Sequence, residues 1–308
     1  MGHTTEQAGL PVGVAVRLLH AWCSAQVRQA NLRALFIKGP VLADQQLRAP
    51  RVSSDVDVLV HPDDFDRVCE LLRRGGWAAR PEVFAGRFYD DHSISFVHPS
   101  WPCDVDVHSR YPGFLADPVT VFERMWSDRD VQTYGHVDCD VSNRMASALI
   151  LGLHSLRGAA SGSRHEAELR HLVSDVVFSA EERLGLANLA AATGCAQSGA
   201  PFLEKLSLPP ADGPTADVDP AAIEDWRTRT AVADTPVWVW SNAYRHSDGV
   251  WKLVVLWRAL WPTRRDLEVT AGDSLATSKQ RLVYRVARLR RGIPDALSLL
   301  RSRRQNRS

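Results

Sequence analysis

The stretch Asp55-Val56-Asp57-Val58-Leu59-Val60 decides how this chain is read, because it has the two-residue period of a strand and is acidic on one side only. Side chains on a strand alternate faces, so Asp55 and Asp57 project together while Val56, Val58 and Val60 bury the other side. A second run, Asp104-Val105-Asp106-Val107-His108, repeats the pattern and puts Asp104, Asp106 and His108 on one face. Carboxylates gathered on neighbouring strands repel one another, and a divalent cation, or a pair of them, is the ordinary way to stabilise such a cluster. A metal site is the working expectation.

Working outward, Leu35 to Ile37 reads as a short buried strand that runs into Lys38-Gly39-Pro40. Glycine permits a sharp turn and proline suits a first helical turn, so a helix is expected over 40–47, then a loop from Arg48 to Ser54. Upstream, the apolar spacing from Val14 through Leu18, Leu19, Trp22 and Val27 predicts a first helix. Downstream, His61-Pro62-Asp63-Asp64 opens another, with Phe65, Val68, Cys69 and Leu72 as its buried face and Gly75-Gly76 as its end. Residues 92–98 and 103–109 read as strands joined by Pro99-Ser100-Trp101-Pro102. The sum is an α+β fold: a mixed sheet with helices packed on it over residues 10–140. Beyond Ser142 the periodicity is helical, near 143–158, 165–178 and 180–193, with Gly194 as a cap. Residues 209–220 read as a linker or exposed loop, and a Trp-rich stretch follows from Trp238 to Trp261. The second part, 141–308, is expected to be a mainly helical domain with a basic C-terminal tail.

At 308 residues, with 45% hydrophobic and 24% charged residues, the chain has ample core for one large or two ordinary domains. The net charge of +1 hides an asymmetry: from Lys279 onward, lysine and arginine face a single acid, Asp295. That tail could meet nucleic acid or an anionic surface. The five cysteines are odd in number, widely spaced and without a Cys-x-x-Cys, as expected of reduced thiols in a cytoplasmic protein. No secretory signal and no transmembrane segment are visible.

Phe36-Ile37-Lys38-Gly39, then a helix, then Arg51 and the Asp55 to Val60 run, then Asp106-Val107-His108, resembles the uncharacterised bacterial nucleotidyltransferases of the DNA-polymerase-β type. The resemblance is firm over residues 30–110 and weaker in the helical half, around His154, Glu168-Leu169 and Leu253 to Arg291. It implies a Mg²⁺-dependent enzyme that moves a nucleoside monophosphate from a nucleoside triphosphate such as ATP to a hydroxyl-type acceptor, releasing pyrophosphate. It further implies that Asp55, Asp57 and Asp106 hold two Mg²⁺ ions, with Asp106 also a candidate base, and that Lys38 and Gly39 hold phosphate. The usual turn in that superfamily has Gly followed by Gly or Ser. Here Pro40 removes a backbone donor, so phosphate binding would lean on Lys38, other turn amides, or Arg51, Ser53 and Ser54.

Plainer readings stand beside these. Asp104 fits a solvated strand start as well as a ligand. His108 is placed either to contact substrate or a metal-bound water, or to orient Asp106. His154 fits a packed histidine, and Arg51 a surface arginine. The tryptophans suit core fillers or a base-stacking platform, and the tail helix, with Leu282, Val283, Val286 and Leu289 on one stripe, suits docking on its own domain. Two other functions compete with transfer. One is a catalytically silent binding or regulatory module, of a toxin–antitoxin or defence kind, against which the complete carboxylate set argues. The other is a nucleic-acid-binding protein working through its tail, whose binding would depend strongly on salt. Acceptor choice, whether small molecule, protein or RNA, would lie in the helical half, where no motif is legible.

Overall fold

Val56, Val58 and Val60 are sealed from solvent together with Val105 and Val107, and this shared apolar face is what the rest of the sheet is built on. The computed structural model describes residues 10–81, 84–85, 93–158, 163–232, 236–271 and 277–305. Along the chain, α1 (Val12–Gln29) leads to β1 (Ala34–Ile37), the short α2 (Gly39–Asp44), β2 (Asp55–Val60) and α3 (Phe65–Arg74). Then come β3 (Ala78–Ala79), β4 (Ser93–Val97), β5 (Asp104–His108), α4 (Pro118–Ser127), β6 (Asp130–Tyr134) and β7 (Val137–Val141). The strands form one mixed seven-stranded sheet in the order β3-β4-β5-β2-β1-β7-β6. Strand β2 runs antiparallel to β1 and parallel to β5, and β4 runs antiparallel to β5. The fold is α+β, as the alternation predicts.

One face of this sheet is apolar because its inward positions are: Phe36 on β1, the β2 and β5 valines, and Phe96 on β4. Against them pack Leu19, Cys23 and Val27 of α1 and Val68, Cys69 and Leu72 of α3. Burying a side chain of this size is worth about 1.5–3 kcal/mol. The opposite side of β2 and β5 carries the acids.

Two helices are shorter than expected. The helix expected over 40–47 stops at Asp44, since Gln46 takes a positive φ of 58° that no right-handed helix contains. The one expected over 165–178 is α6 (Ser163–Ser174), which follows α5 (Arg144–Gly158). Beyond Ser174, Ser179 caps α7 (Ala180–Ala192) in a reciprocal box with Glu182. The hairpin β6–β7 has no counterpart in the sequence reading. Gly135 and His136, with φ of 54° and 62°, make its two-residue turn, the hand that suits strand twist.

Helices α8 (Cys195–Ser198) and α9 (Ala200–Leu203) follow, then α10 (Pro220–Val232), α11 (Pro236–His246), α12 (Val250–Leu260), α13 (Arg264–Ala271) and α14 (Ser278–Gln305). The chain divides into two compact units, one of residues 1–80, 93–152 and 170–217 and the other of residues 81–92, 153–169 and 218–308. The sheet lies wholly in the first. In the second, Trp240, Ala243 and Val255 pack with Ala85 as a small core, while Trp251, Trp257 and Trp261 are exposed. The side chain of Trp238 lies outside the described residues. Helix α14 meets its own unit through arginines: Arg285 donates to the Pro262 carbonyl and Arg288 to that of Ala259. The helix packs on α10 and α11 of its own unit, as expected, but Leu282, Val283 and Val286 are exposed and only Leu289 of the apolar stripe is half-buried. The side chains from residue 293 onward, including the terminal arginines of the basic tail, lie outside the described residues. All five cysteines are free and buried. Among the described residues no helix is long and apolar enough to cross a membrane.

Candidate active site

Register brings the two acidic runs side by side. Asp55 pairs with Asp104, Asp57 with Asp106 and Leu59 with His108 across the parallel β2–β5 ladder, so paired side chains share a face. Strand β4 adds Ser95 opposite Asp106. The ligand atoms of Asp57, Asp106 and His108 all lie within 4.8 Å of one another.

Lys38 reaches this cluster from the end of β1 because its backbone is strained. It has φ 59° and ψ −145°, and Gly39 follows at φ 51°. Lysine in the left-handed half of the map costs ~1–3 kcal/mol, and such strain collects at functional sites. Its Nζ ends 2.5 Å from Asp57 Oδ1. The turn is braced from beneath by the buried Arg48, whose guanidinium donates to the Gly39 carbonyl at 2.6 Å.

Asp57 is almost wholly buried, yet it stays charged. Burial alone would push its carboxyl up, but the Lys38 charge and a 3.0 Å hydrogen bond from His108 Nε2 hold it well below the usual carboxylate range. The same pair holds the Lys38 ammonium above its ordinary value, against the pull of burial. Asp106 moves the other way. Burial and then the neighbouring Asp57 charge raise its carboxyl, although the Ser95 hydroxyl donates to it. Two carboxylates on one face, pushed apart in proton affinity, are an arrangement suited to separate tasks.

The remaining predicted residues fall around this centre. Asp55 Oδ1 accepts from the Ser53 hydroxyl at 3.0 Å and is not in the close trio. Asp104 is drawn off by an ion pair with Arg80. His108 binds Asp57 where Asp106 was the expected partner. Arg51 and Ser54 are exposed on the loop before β2. Four residues at the centre escaped the sequence reading: Ser95, Arg48, Tyr111, whose ring lies 5.7 Å from Lys38 Nζ, and His20. Ser95 had a signal, since Ser93 and Ser95 alternate with Ile94 and Phe96. His20 is fully buried, its Nδ1 donates to the Val16 carbonyl at 2.7 Å, and its Cε1 would stand 3.8 Å from a Cβ on Gly39. Its Nε2 makes no hydrogen bond among the described residues. Burial lowers its pKa to about 4, so it is neutral at pH 7.

The donor set fits a divalent cation. Two carboxylates offer hard oxygen atoms of the kind magnesium takes, and the raised Asp106 carboxyl records a repulsion that a cation would relieve. His108 is committed through Nε2 to Asp57, as an imidazole orienting a ligand would be.

Residues 24–173 match the model of a family described as uncharacterised nucleotidyltransferase. Among curated proteins none matches this chain. Solved structures with some likeness include the lincosamide antibiotic adenylyltransferase LnuA bound to lincomycin, at 15% identity and a TM-score of 0.35, covering 52% of this chain and 96% of that one. An antigenic nucleotidyltransferase-like protein from Paracoccidioides brasiliensis is 12% identical with a TM-score of 0.37, covering 64% of this chain and 94% of the other. A tRNA nucleotidyltransferase complexed with primer tRNA and an ATP analogue is 16% identical with a TM-score of 0.25, covering 91% and 94%.

Proposed function

We propose, from the premise that residues 24–173 of this chain carry a domain of the uncharacterised nucleotidyltransferase family, that the protein transfers a nucleoside monophosphate from a nucleoside triphosphate to a hydroxyl-type acceptor. In this reaction the acceptor oxygen bonds to the α-phosphorus, the bond to the β-phosphate oxygen breaks, and pyrophosphate leaves. The observation that carries the reading is the pairing of Asp57 with Asp106 on adjacent parallel strands, beside a lysine held at positive φ. A retired site would have no reason to keep buried like charges and a strained lysine together.

Each side chain has work within this reading. Asp57 and Asp106 would hold magnesium, with Asp55 available for a second ion once it leaves Ser53, and the metal would supply charge neutralisation at both the attacking and leaving oxygens. His108 keeps the Asp57 carboxylate turned toward the centre through its 3.0 Å bond. Asp106, the carboxylate with the higher proton affinity, is the group suited to receive the acceptor's proton. Lys38 and Gly39 would hold phosphate at the turn, where a positive charge and a backbone without Cβ meet. Arg51, Ser53 and Ser54, on the loop before β2, are assigned to the triphosphate.

Purified protein incubated with α-labelled nucleoside triphosphates, Mg²⁺ and a cell extract tests this. The expected result is Mg²⁺-dependent label on an acceptor, lost in Asp57→Asn and Asp106→Asn proteins. Labelling that persists unchanged in both variants would assign the chemistry elsewhere.

A further inference from the structure

Two imidazoles and a carboxylate converge away from the acidic centre, in the second compact unit. His154 lies near the end of α5, while His165 and Glu168 lie at the start of α6, three positions apart and so on one helix face. Their ligand atoms lie within 4.8 Å of one another. The His154 and His165 rings stand edge-on, with centroids 4.9 Å apart and planes at 68°, an arrangement that lets nitrogen lone pairs converge where stacked rings would not. His165 Nδ1 is 3.9 Å from Glu168 Oε2. Donors on a tetrahedral zinc, each ~2 Å from the ion, stand roughly 3.3 Å apart, so a small rotamer adjustment closes the set.

We propose that His154, His165 and Glu168 form a binding site for a first-row divalent transition-metal ion, distinct from the magnesium-type centre at Asp57 and Asp106. Two histidines with one carboxylate are the donors of three-ligand zinc sites that keep a fourth position open, and imidazole selects such ions over magnesium. The three residues are partly buried, and His154 Nδ1, His165 Nδ1 and Glu168 Oε2 face inward, away from solvent. Arg164 Nε stands 3.8 Å from the other Glu168 oxygen and would orient the carboxylate from outside. The inference stands apart from the nucleotidyl-transfer reading, because it concerns other residues and another class of metal.

The test is titration of chelator-stripped full-length protein with Zn²⁺ in excess Mg²⁺, by calorimetry, using wild type, His154→Gln, Glu168→Gln and an Asp57→Asn/Asp106→Asn double variant. One equivalent of zinc is expected in wild type and in the double variant, with affinity lowered at least ~10-fold in His154→Gln and Glu168→Gln. Should a histidine variant fail to fold, the visible spectrum of Co²⁺ bound to wild type serves instead, since nitrogen ligation in a four- or five-coordinate site gives intense bands. Absence of zinc binding in wild type overturns the proposal. So does binding that disappears only in the Asp57→Asn/Asp106→Asn protein, or a cobalt spectrum of six-coordinate, water-like type.

Discussion

Lys38 Nζ and Asp57 Oδ1 stand 2.5 Å apart, which places an ammonium on the oxygen that also accepts from His108. The lysine therefore neutralises the carboxylate that a metal ion would share. In the proposed reaction, metal arrival would be linked to lysine release, and a released Lys38 would turn toward phosphate.

Replacing Lys38 by methionine leaves Asp57 charged, buried and short of its partner. Loss of one half of a buried pair costs ~3–5 kcal/mol, so the metal-free variant should melt well below wild type. Magnesium should restore part of the loss, giving a larger Mg²⁺-induced rise in Tm than wild type has. Equal rises in the two proteins would refute the linkage.

The two carboxylates should separate when amidated. Asp57→Asn strands Lys38 and destabilises the fold, whereas Asp106→Asn removes a repulsion and should add about 1 kcal/mol, the gain common at functional sites. Asp106 has a raised carboxyl, so its contribution to stability declines as pH rises through its folded pKa, and the amide should abolish that decline. Urea midpoints across acid and neutral pH read this out. Transfer should fall by ~10²–10³-fold or more in both variants.

Asp104 is engaged by Arg80 at the edge of the cluster, with both side chains partly exposed. Asp104→Asn should cost less than ~1 kcal/mol and leave the transfer rate within about twofold of wild type. A loss comparable with that of Asp57→Asn, measured in the same assay, would move Asp104 into the site.

His20 predicts an acid limit. Its pKa is about 4 in the fold against 6.5 when exposed, chiefly through burial. The unfolded chain therefore takes up the proton first, and stability falls as pH drops from 6.5 toward 4, by about 2 kcal/mol at pH 5. Denaturant midpoints of wild type and His20→Gln at pH 7 and pH 5 should converge on acidification. Parallel changes would remove His20 as the cause.

Gly39→Ala isolates backbone strain from crowding. An added Cβ would meet His20, Ser53 and Asp55 at 3.8–3.9 Å, ordinary contact distances, so the cost comes from φ 51° alone. The expected loss is ~1–2 kcal/mol in urea unfolding. A substantially larger loss would mean that the turn is more tightly packed than this.

What the sequence discloses follows from where the periodicity is strong. Strands β2 and β5 alternate valine with acid and are buried on one side, so both runs and their shared polar face are readable. Strand β6 is at the sheet edge with Asp130, Val131 and Thr133 exposed, so no apolar period marks it, and only Gly135 hints at its turn. At the site, Asp57 and Asp106 are readable as a pair. The grip of Lys38 on Asp57 is not, because nothing about a lysine announces a left-handed backbone. His20 comes from α1, and its nearness to Gly39 exists only after that helix packs on the sheet.

Parallel pairing of β2 with β5 also governs when the two acidic runs can meet. Strands that run the same way cannot be joined by a tight reversal, so α3, β3 and β4 must intervene before Asp106 meets Asp57. Contacts that close so long a loop tend to form slowly. In a polypeptide still emerging from the ribosome, with β2 made and β5 not yet made, Asp57 has no Asp106 beside it, so the proposed centre cannot assemble until the second acidic run is in place.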